Sequence, residues 1–356
     1  KLFLDREYTG QGPIPCNADY WSYDTYDMMH RLFPGTHTIL VLVQQGETYL
    51  GKRPLALLCQ MDIEYTDGTR ETILSDSSWM VVSDCGWVTK PPRVFDTHHD
   101  YVEIYDARLS TLDAQLNELG PVQWVPAKLF KKPLFVSDEV IPVKHIGSLW
   151  RRLIPRDIPF MEEILCEPVR ITNSGEIDRG YPHKSSSRYG SETWHGLENI
   201  QPALHAQIEG LNSINREDGT YALLKPVLGR EYPYKPYIPA FIVDLGQVKN
   251  GNIVLDVEGV AGSVIDICYS QVLQDGRVYP KGGSTFHVKR YILRDGRQSW
   301  ESFDYVNCRY IQITASAGAP YGFAYDEEFA PLKIFGLRFN EIRYPVEQKA
   351  GFSSSD

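Results

Sequence analysis

The 356-residue sequence lacks the short motifs that mark the commonest enzyme classes. It has no G-x-S-x-G nucleophile elbow, no P-loop, no H-E-x-x-H zinc motif and no G-x-G-x-x-G dinucleotide motif. It also has no apolar run near the ~20 residues that cross a bilayer, and no visible signal peptide. These absences exclude the common motif-bearing enzymes and predict no membrane span.

Positive charge is in deficit, with 36 Lys and Arg against 46 Asp and Glu and a net charge of -10. A nucleic-acid partner favours a basic face that releases the counterions of the phosphates. The sequence therefore predicts no nucleic-acid partner. Residues 144–156 are locally basic, which we interpret as a solvated linker face.

Cysteine is also scarce: the chain has six, and none forms a C-x-x-C pair. Cys59, Cys268 and Cys308 lie within strand-like patterns, which favours buried free thiols over disulfides or a zinc site. The even number leaves pairing open. The run His98-His99-Asp100 is interpreted as a loop without metal, because successive strand side chains point to opposite faces. No cofactor is predicted, and calcium stays open without a motif that indicates it.

What the sequence has in abundance is alternation of apolar and polar residues. Residues 241–273 alternate in this way, broken only by Gly and Asn, and further strand patterns recur about every ten residues. An Asp67-Gly68 turn between two such runs predicts a hairpin. Short strands separated by turns indicate an all-β fold of two antiparallel, jelly-roll-like β-sandwiches with a few short helices.

The predicted domain boundaries lie where the alternation of apolar and polar residues weakens. We predict an N-terminal sandwich over 1–128, a Pro-rich and basic linker over 129–160, and a second sandwich over 161–345. Short helical segments are expected at 113–119 and, from apolar residues at helical spacing, at 197–211.

Aromatic residues make up 12% of the chain, and several lie beside Gly, Ser or Pro, where a ring can be exposed. An exposed ring can stack on the apolar face of a sugar. The carbohydrate-binding candidates are Trp21, Tyr23, Tyr49, Trp194 and Tyr279. Packing at a domain junction is the favoured alternative for any single ring.

A series of motifs in the second half gives a more specific indication. In chain order, the residues of this series are Asp244, Gly246, Gln247 and Gly251; Gly259 and Gly262; Asp275 and Gly276; Trp300, Phe303, Tyr305, Arg309 and Tyr310. The series resembles the β-sandwich module of bacterial α-L-rhamnosidases. We interpret Asp244 and Gln247 as partners of turn backbone groups, and an interface with a catalytic barrel is the alternative.

The first half resembles the same family in four stretches. These are LFLDREYTGQGP, YDTYDMMHRLFPGTHTILVLV, IEYTDGTRETILSDSSWMV and VEIYDARL. One departure lies at residues 45–49, where many relatives carry a G-x-G-W-Y segment and this chain has no Trp. That departure weakens the case for sugar binding by the first module.

The resemblance implies the non-catalytic front half of an inverting α-L-rhamnosidase, acting on terminal α-L-rhamnose in rhamnosides or polysaccharides. Because the chain starts without Met, we expect a segment of a longer protein, in which residues 346–356 lead into an (α/α)6 barrel after Asp356. The barrel, as its partner, would carry the catalytic acids, and no residue of this chain matches them. The usual location of enzymes in this family favours a periplasmic or secreted protein. A carbohydrate-binding module and a structural interaction domain are the alternatives.

Overall fold

The chain forms two compact units in the computed structural model. The first comprises Lys1–Ser83 and Leu112–Pro159, and the second comprises Asp84–Thr111 and Phe160–Asp356. The structure describes residues 1–14, 21–44, 56–83, 85–88, 91, 101–110, 124–129, 153–178, 194, 196–229, 236–282, 285–316, 329–346, 351 and 353. The domain boundaries predicted from the sequence stay predictions.

Strands dominate both units, which confirms the predicted all-β class. They are β1 Leu2–Leu4, β2 Glu7–Gly10, β3 Trp21–Tyr23, β4 Ile39–Val41, β5 Gln60–Glu64, β6 Arg70–Leu74, β7 Met80–Val81, β8 Ile104–Asp106, β9 Val125–Pro126, β10 Leu153–Pro155, β11 Glu162–Cys166, β12 Arg170–Asp178, β13 Ile200–Gln201, β14 Gln207–Glu209, β15 Ala222–Lys225, β16 Val227–Leu228, β17 Pro236–Gly259, β18 Val264–Ser270, β19 Lys281–Gly282, β20 Thr285–Phe286, β21 Val288–Ile292, β22 Gly296–Glu301, β23 Val306–Ser316 and β24 Leu332–Arg343.

Helical structure among the described residues is limited to 3-10 turns. They include Met29–Arg31, Ala107–Leu109 and Leu211–Ser213. Within the same residues, no helix has the length and apolarity that a membrane crossing requires.

The first unit contains small sheets. β1 pairs antiparallel with both β2 and β4, and β3 pairs parallel with β10. The predicted hairpin is present as β5–β6. Its turn is stabilised by the Asp67 carboxylate, which accepts from the backbone N–H of Thr69 at 2.9 Å, and Gly68 takes the positive φ of 85° that the turn requires.

The second unit is built around the 24-residue strand β17 in a 13-stranded sheet. The first part of β17 pairs with β12 and with β23, whose pairing continues to Gly251, and the last part pairs with β24 and β22. The inward side chains are fully buried and include Phe241, Ile253, Leu255, Ile265 and Ile313. The alternation read from the sequence therefore marks the core faces of β17 and β18.

A strand from far upstream completes the sheet of this unit. β8 pairs parallel with β21 at the end of the sheet order. Tyr105 stacks on Tyr291 with a centroid distance of 5.9 Å. Beside them, the Glu103 carboxylate accepts from the Lys289 ammonium at 2.6 Å and from the Phe303 backbone N–H at 2.7 Å. Residues 101–110 therefore belong structurally with a core some 180 residues later.

The helix predicted over 197–211 is wrong. This segment contains β13 and β14, and the side chains at helical spacing do not share a face, since Leu197 is fully buried and Leu204 is 82% exposed. Pro202 lacks the backbone N–H that a helix interior needs, and β12 and β15 supply strand partners instead. The segment predicted at 113–119 lies outside the described residues.

Among the described cysteines, Cys59, Cys166 and Cys308 are free thiols. Cys268 and Cys308 are buried as predicted, and Cys59 is half-buried. Burial raises the pKa of Cys308 to about 12, so this thiol stays protonated and packs as a small apolar side chain.

Candidate functional site

The motif residue Asp244 lies at the start of a bulge in β17. Pairing between β17 and β23 is interrupted between Asp244 and Lys249, so residues 245–248 form a bulge without a partner in β23. We call this segment the 245–248 bulge. Gly246 has a positive φ of 83°, and its backbone N–H donates to Asp244 Oδ1 at 2.8 Å. The buried carboxylate thus fixes the bulge, as the D-x-G spacing suggests.

Two arginines complete the surroundings of Asp244. Arg309 donates through Nε to Oδ1 at 2.8 Å and through Nη2 to Oδ2 at 3.0 Å. Arg170 donates to Oδ2 at 3.0 Å. The bond from Arg309 is the largest cause that lowers the pKa of Asp244 to about 2, against the opposing effect of burial. The carboxylate is therefore ionised at neutral pH and does not act as a proton donor there.

Gln247 lies on the exposed tip of the bulge. Two apolar side chains are exposed near it, Val248 at 48% and Val169 at 70%. Val169 lies against the bulge, since a Cβ built on Gly246 would be 2.9 Å from its Cγ2. The bulge therefore presents an amide and two valines outward while Asp244 is buried beneath it.

The predicted ring of Trp194 is buried, with 1% exposure. Its indole N–H donates to Asp266 Oδ1 at 3.1 Å, and the Arg290 guanidinium lies 5.6 Å from the ring centroid. Arg290 in turn donates to both oxygens of Asp266, at 2.7 and 2.9 Å. This ring packs in the interior, and its geometry offers no surface for a sugar.

Three of the other predicted rings lie within the described residues. Trp21 is half-buried in β3, beside Leu153 of β10. Tyr23, in the same strand, is 44% exposed. Tyr279 is half-buried in the second unit, and Tyr49 lies outside the described residues. Carbohydrate binding by these four residues stays a prediction.

Each buried carboxylate among the described residues of the second unit has a basic partner. Besides Asp244 and Asp266, Glu103 pairs with Lys289, and Glu176 accepts from His205 Nδ1 at 2.9 Å. Burial works against the charge of Lys289, but the combined effect of Glu103, Tyr269 and Asp304 outweighs it and raises the lysine pKa. Such pairs hold strands together and leave no described buried carboxyl ready to transfer a proton.

Metal ligands do not cluster in the described part of the chain. No three His, Cys, Asp or Glu side chains come together there as they would around an ion. The run His98-His99-Asp100 lies outside the described residues.

One surface was missed by sequence reasoning, the outer face of the sheet formed by β15, β24, β17 and β22. Its side chains include Tyr221, which directly precedes β15, and Asp256, Glu258, Arg297, Lys333 and Phe335. We call this set the outer face. The polar positions of each alternating strand are visible in the sequence. Which strands are neighbours, and so which polar side chains share a face, does not follow from the alternation.

Two family models match the chain in sequence. Residues 17–146 match the α-L-rhamnosidase N-terminal domain, and residues 238–331 match the bacterial α-L-rhamnosidase concanavalin-like domain. This chain belongs to the bacterial α-L-rhamnosidase family. Asp244, the 245–248 bulge and the core of β17 and β23 all lie within the second match, so the motif series of this rhamnosidase-family chain coincides with the 13-stranded sheet.

Curated and solved relatives agree with this assignment. An α-L-rhamnosidase of Streptomyces avermitilis is 24% identical over 313 residues, which are 84% of this chain and 22% of the relative. The GH78 family rhamnosidase of Bacillus sp. GL1 superposes with a TM-score of 0.61 at 18% identity, over all of this chain and 52% of the other.

The α-L-rhamnosidase of Dictyoglumus thermophilum gives a TM-score of 0.54 at 16% identity, over all of this chain and 30% of the other. At these identities the structural likeness shows the fold. The chain spans about half the length of the Bacillus protein, and less of the other two.

Proposed function

We propose that this chain is the non-catalytic front part of an α-L-rhamnosidase, a glycoside hydrolase that releases terminal α-L-rhamnose from rhamnosides or polysaccharides. The observation that carries the proposal is the order of the two matched domains along one chain, N-terminal domain first and concanavalin-like domain second. The catalytic carboxyls belong to a following (α/α)6 barrel, which is the main partner of this chain.

The proposed reaction of the complete enzyme proceeds with inversion at the sugar carbon. One carboxylic acid protonates the leaving oxygen while a second carboxylate activates a water on the opposite face of the ring. The two groups stand about 6.5 to 9.5 Å apart in inverting enzymes, which leaves room for the water. The engagement of the buried carboxylates with Arg, Lys and His in this chain supports placing both groups elsewhere.

The contribution of this chain is to support the barrel, with the 245–248 bulge at the contact. The bulge is held rigidly by Asp244, and it presents Gln247 with the exposed side chains of Val169 and Val248. An amide between two apolar side chains suits a protein surface, because it offers both hydrogen bonds and area to bury. This role extends the alternative interpretation of Asp244 and Gln247, an interface with a catalytic barrel.

An activity assay on an aryl α-L-rhamnoside tests the proposal. We expect no turnover above the uncatalysed rate from this chain alone. A longer protein that joins the chain to a following barrel should release rhamnose, and a first product of inverted configuration should be visible by NMR. Turnover by the 356-residue chain would overturn its non-catalytic role, and a longer protein that is inactive on rhamnosides would overturn the substrate class.

A further inference from the structure

The loop that follows Arg31 in the first unit is anchored at both ends. At its start, the Arg31 guanidinium donates to the Leu4 carbonyl at 3.2 Å. At its end, the Thr38 backbone N–H donates to Asp5 Oδ1 at 2.7 Å, and the Thr38 carbonyl accepts from the Asp5 backbone N–H at 2.9 Å. We call residues 32–37, which lie between these anchors, the 32–37 loop. A movement of this loop therefore leaves strands β1 and β4 in place.

One side chain connects the 32–37 loop to the turn between β1 and β2. His37 Nδ1 lies 2.6 Å from Asp5 Oδ2, and His37 Nε2 lies 2.6 Å from the backbone oxygen of Phe33. An ionised carboxylate and a carbonyl oxygen accept hydrogen bonds but donate none. Both ring nitrogens must therefore carry a hydrogen, so this geometry is that of the protonated imidazolium.

The neutral ring has a different partner within reach. A neutral imidazole carries one hydrogen, and that hydrogen stays on Nδ1 because the charged Asp5 is the stronger acceptor. The lone pair left on Nε2 then faces the Phe33 oxygen, which repels it. The donor nearest to that lone pair is the Phe33 backbone N–H, 3.3 Å from Nε2. Loss of one proton thus exchanges the Phe33 carbonyl for the Phe33 N–H, and this exchange requires the Phe33 end of the loop to turn.

The charges around His37 favour its protonated form. The hydrogen bond to Asp5 is the largest cause that raises the pKa of His37, and the Phe33 carbonyl adds to it against the opposing effect of burial. The same bond to His37 is the largest cause that lowers the pKa of Asp5, with smaller contributions from a backbone N–H and from the Arg31 charge. Arg31 is itself paired with Glu7 of β2, at 3.3 Å.

We propose that His37 is a pH-sensitive switch that holds the 32–37 loop to the β1–β2 turn in mildly acidic medium and releases the Phe33 end of the loop as the pH rises. The Phe33 side chain is 70% exposed. It moves with the loop, so its position depends on the pH.

The direction of each pKa shift gives the pH range of the switch. The contribution of His37 is complete below its ordinary pKa of 6.5 and is lost as the pH rises through the higher value in the folded chain. The contribution of Asp5 is complete above its ordinary pKa of 3.8 and is lost as the pH falls through the lower value in the folded chain. The loop is therefore held fully between pH 3.8 and pH 6.5.

Hydrogen–deuterium exchange of the 356-residue chain, followed by mass spectrometry, tests the switch at about pH 5.5 and about pH 8, on either side of the histidine titration. Rates are corrected for the intrinsic effect of pH on amide exchange. We expect the 32–37 loop of the wild type to exchange about fivefold faster at the higher pH, the upper size for an exposed charge pair. His37→Gln has no titrating ring and should show equal corrected rates at both pH values.

His30→Gln provides the matched control, because His30 is an exposed histidine just before the same loop. We expect it to keep the pH dependence of the wild type. Asp5→Asn removes the charge opposite His37 and keeps the turn, since Asn tolerates the positive φ of 50° at this position. NMR titration of the His37 ring, assigned through its own backbone amide, should give a midpoint above 6.5 in the wild type and a lower midpoint in Asp5→Asn.

Four results would overturn the switch. They are equal corrected exchange of the wild-type loop at both pH values, loss of the pH dependence in His30→Gln, a wild-type His37 midpoint at or below 6.5, and a midpoint that Asp5→Asn leaves unchanged. If His37→Gln does not fold, the wild-type exchange and the Asp5→Asn titration still decide the question. These measurements use no rhamnoside, so their outcome is independent of the proposed function.

Discussion

At the scale of single residues, buried ion pairs fix the alignment of the strands in this protein. Asp244, Asp266 and Glu103 are each at most 5% exposed, and each meets a cation from a distant part of the chain. Burying a lone charge is expensive, so removing either partner costs more than the pair itself contributes. These pairs therefore specify how the strands are aligned, and Asp244 has the additional task of holding the 245–248 bulge.

The first prediction concerns Asp244→Asn, which leaves Arg309 and Arg170 without their carboxylate. We expect the free energy of unfolding at pH 7 to fall by about 3 kcal/mol, as for other broken buried pairs, measured by urea denaturation. Asp275→Asn is the matched control, since Asp275 is exposed on a turn with a positive φ that Asn tolerates. A loss below about 1 kcal/mol for Asp244→Asn would contradict the anchoring role.

The same residue makes a pH-dependent contribution. Its pKa is about 2 in the folded chain against an ordinary 3.8, so the unfolded chain takes up the proton first as the pH falls. The contribution is complete above about pH 4 and is lost as the pH falls toward 2; it amounts to about 2 kcal/mol. The difference in stability between the wild type and Asp244→Asn should accordingly shrink over that interval.

At the scale of elements, the long strand β17 depends on glycine where it crosses β24. A Cβ built on Gly251 would lie 1.9 Å from the backbone oxygen of Asn340. A backbone atom at that distance has no flexible end that could move aside, so the two strands would have to separate. Gly251, a residue of the motif series, is thus required by the close approach of two strands.

The second prediction follows from this contact. Gly251→Ala should lower the free energy of unfolding by about 3 kcal/mol, because strain of this kind in a packed sheet is costly. Gly276→Ala is the matched control: Gly276 has a positive φ of 72° but nothing within 4 Å of its Cβ position, and it should lose about 1 kcal/mol. Equal losses for the two variants would show that backbone conformation, not strand approach, sets the requirement at Gly251.

At the scale of the whole molecule, the two compact units are not consecutive in sequence. Asp84–Thr111 packs with the second unit, although more of the first unit follows it along the chain. β8 supplies an additional strand beside β21, and Glu103 supplies the counter-charge of Lys289. A fragment cut at the start of the second sandwich therefore lacks part of its own core.

The third prediction compares two fragments. Residues 160–356 alone leave Lys289 buried without Glu103, so we expect a thermal midpoint lower by roughly 10 °C than that of residues 84–356, which retain the pair. Scanning calorimetry of both fragments measures the difference. Glu103→Gln in the full chain should shift the transition of the second unit in the same direction, and identical midpoints for the two fragments would show that β8 is dispensable.

The sequence by itself determined the all-β class, the hairpin at Asp67-Gly68, the core faces of β17 and β18, and the family. These are local or ordered patterns: alternation with period two, turn chemistry and a series of motifs along one chain. It failed at residues 197–211, where apolar spacing indicated a helix and neighbouring strands imposed pairing. Local spacing does not record which partners are available.

Only the tertiary structure decided which distant residues meet. It paired Arg309 and Arg170 with Asp244, brought Glu103 to Lys289, buried Trp194 against Asp266, and assembled the outer face from four strands. Each of these contacts depends on strand order and register, which alternation leaves undetermined because any two alternating strands can pair. Burial and ion pairing then select one arrangement, since a slipped register would leave these charges buried without partners.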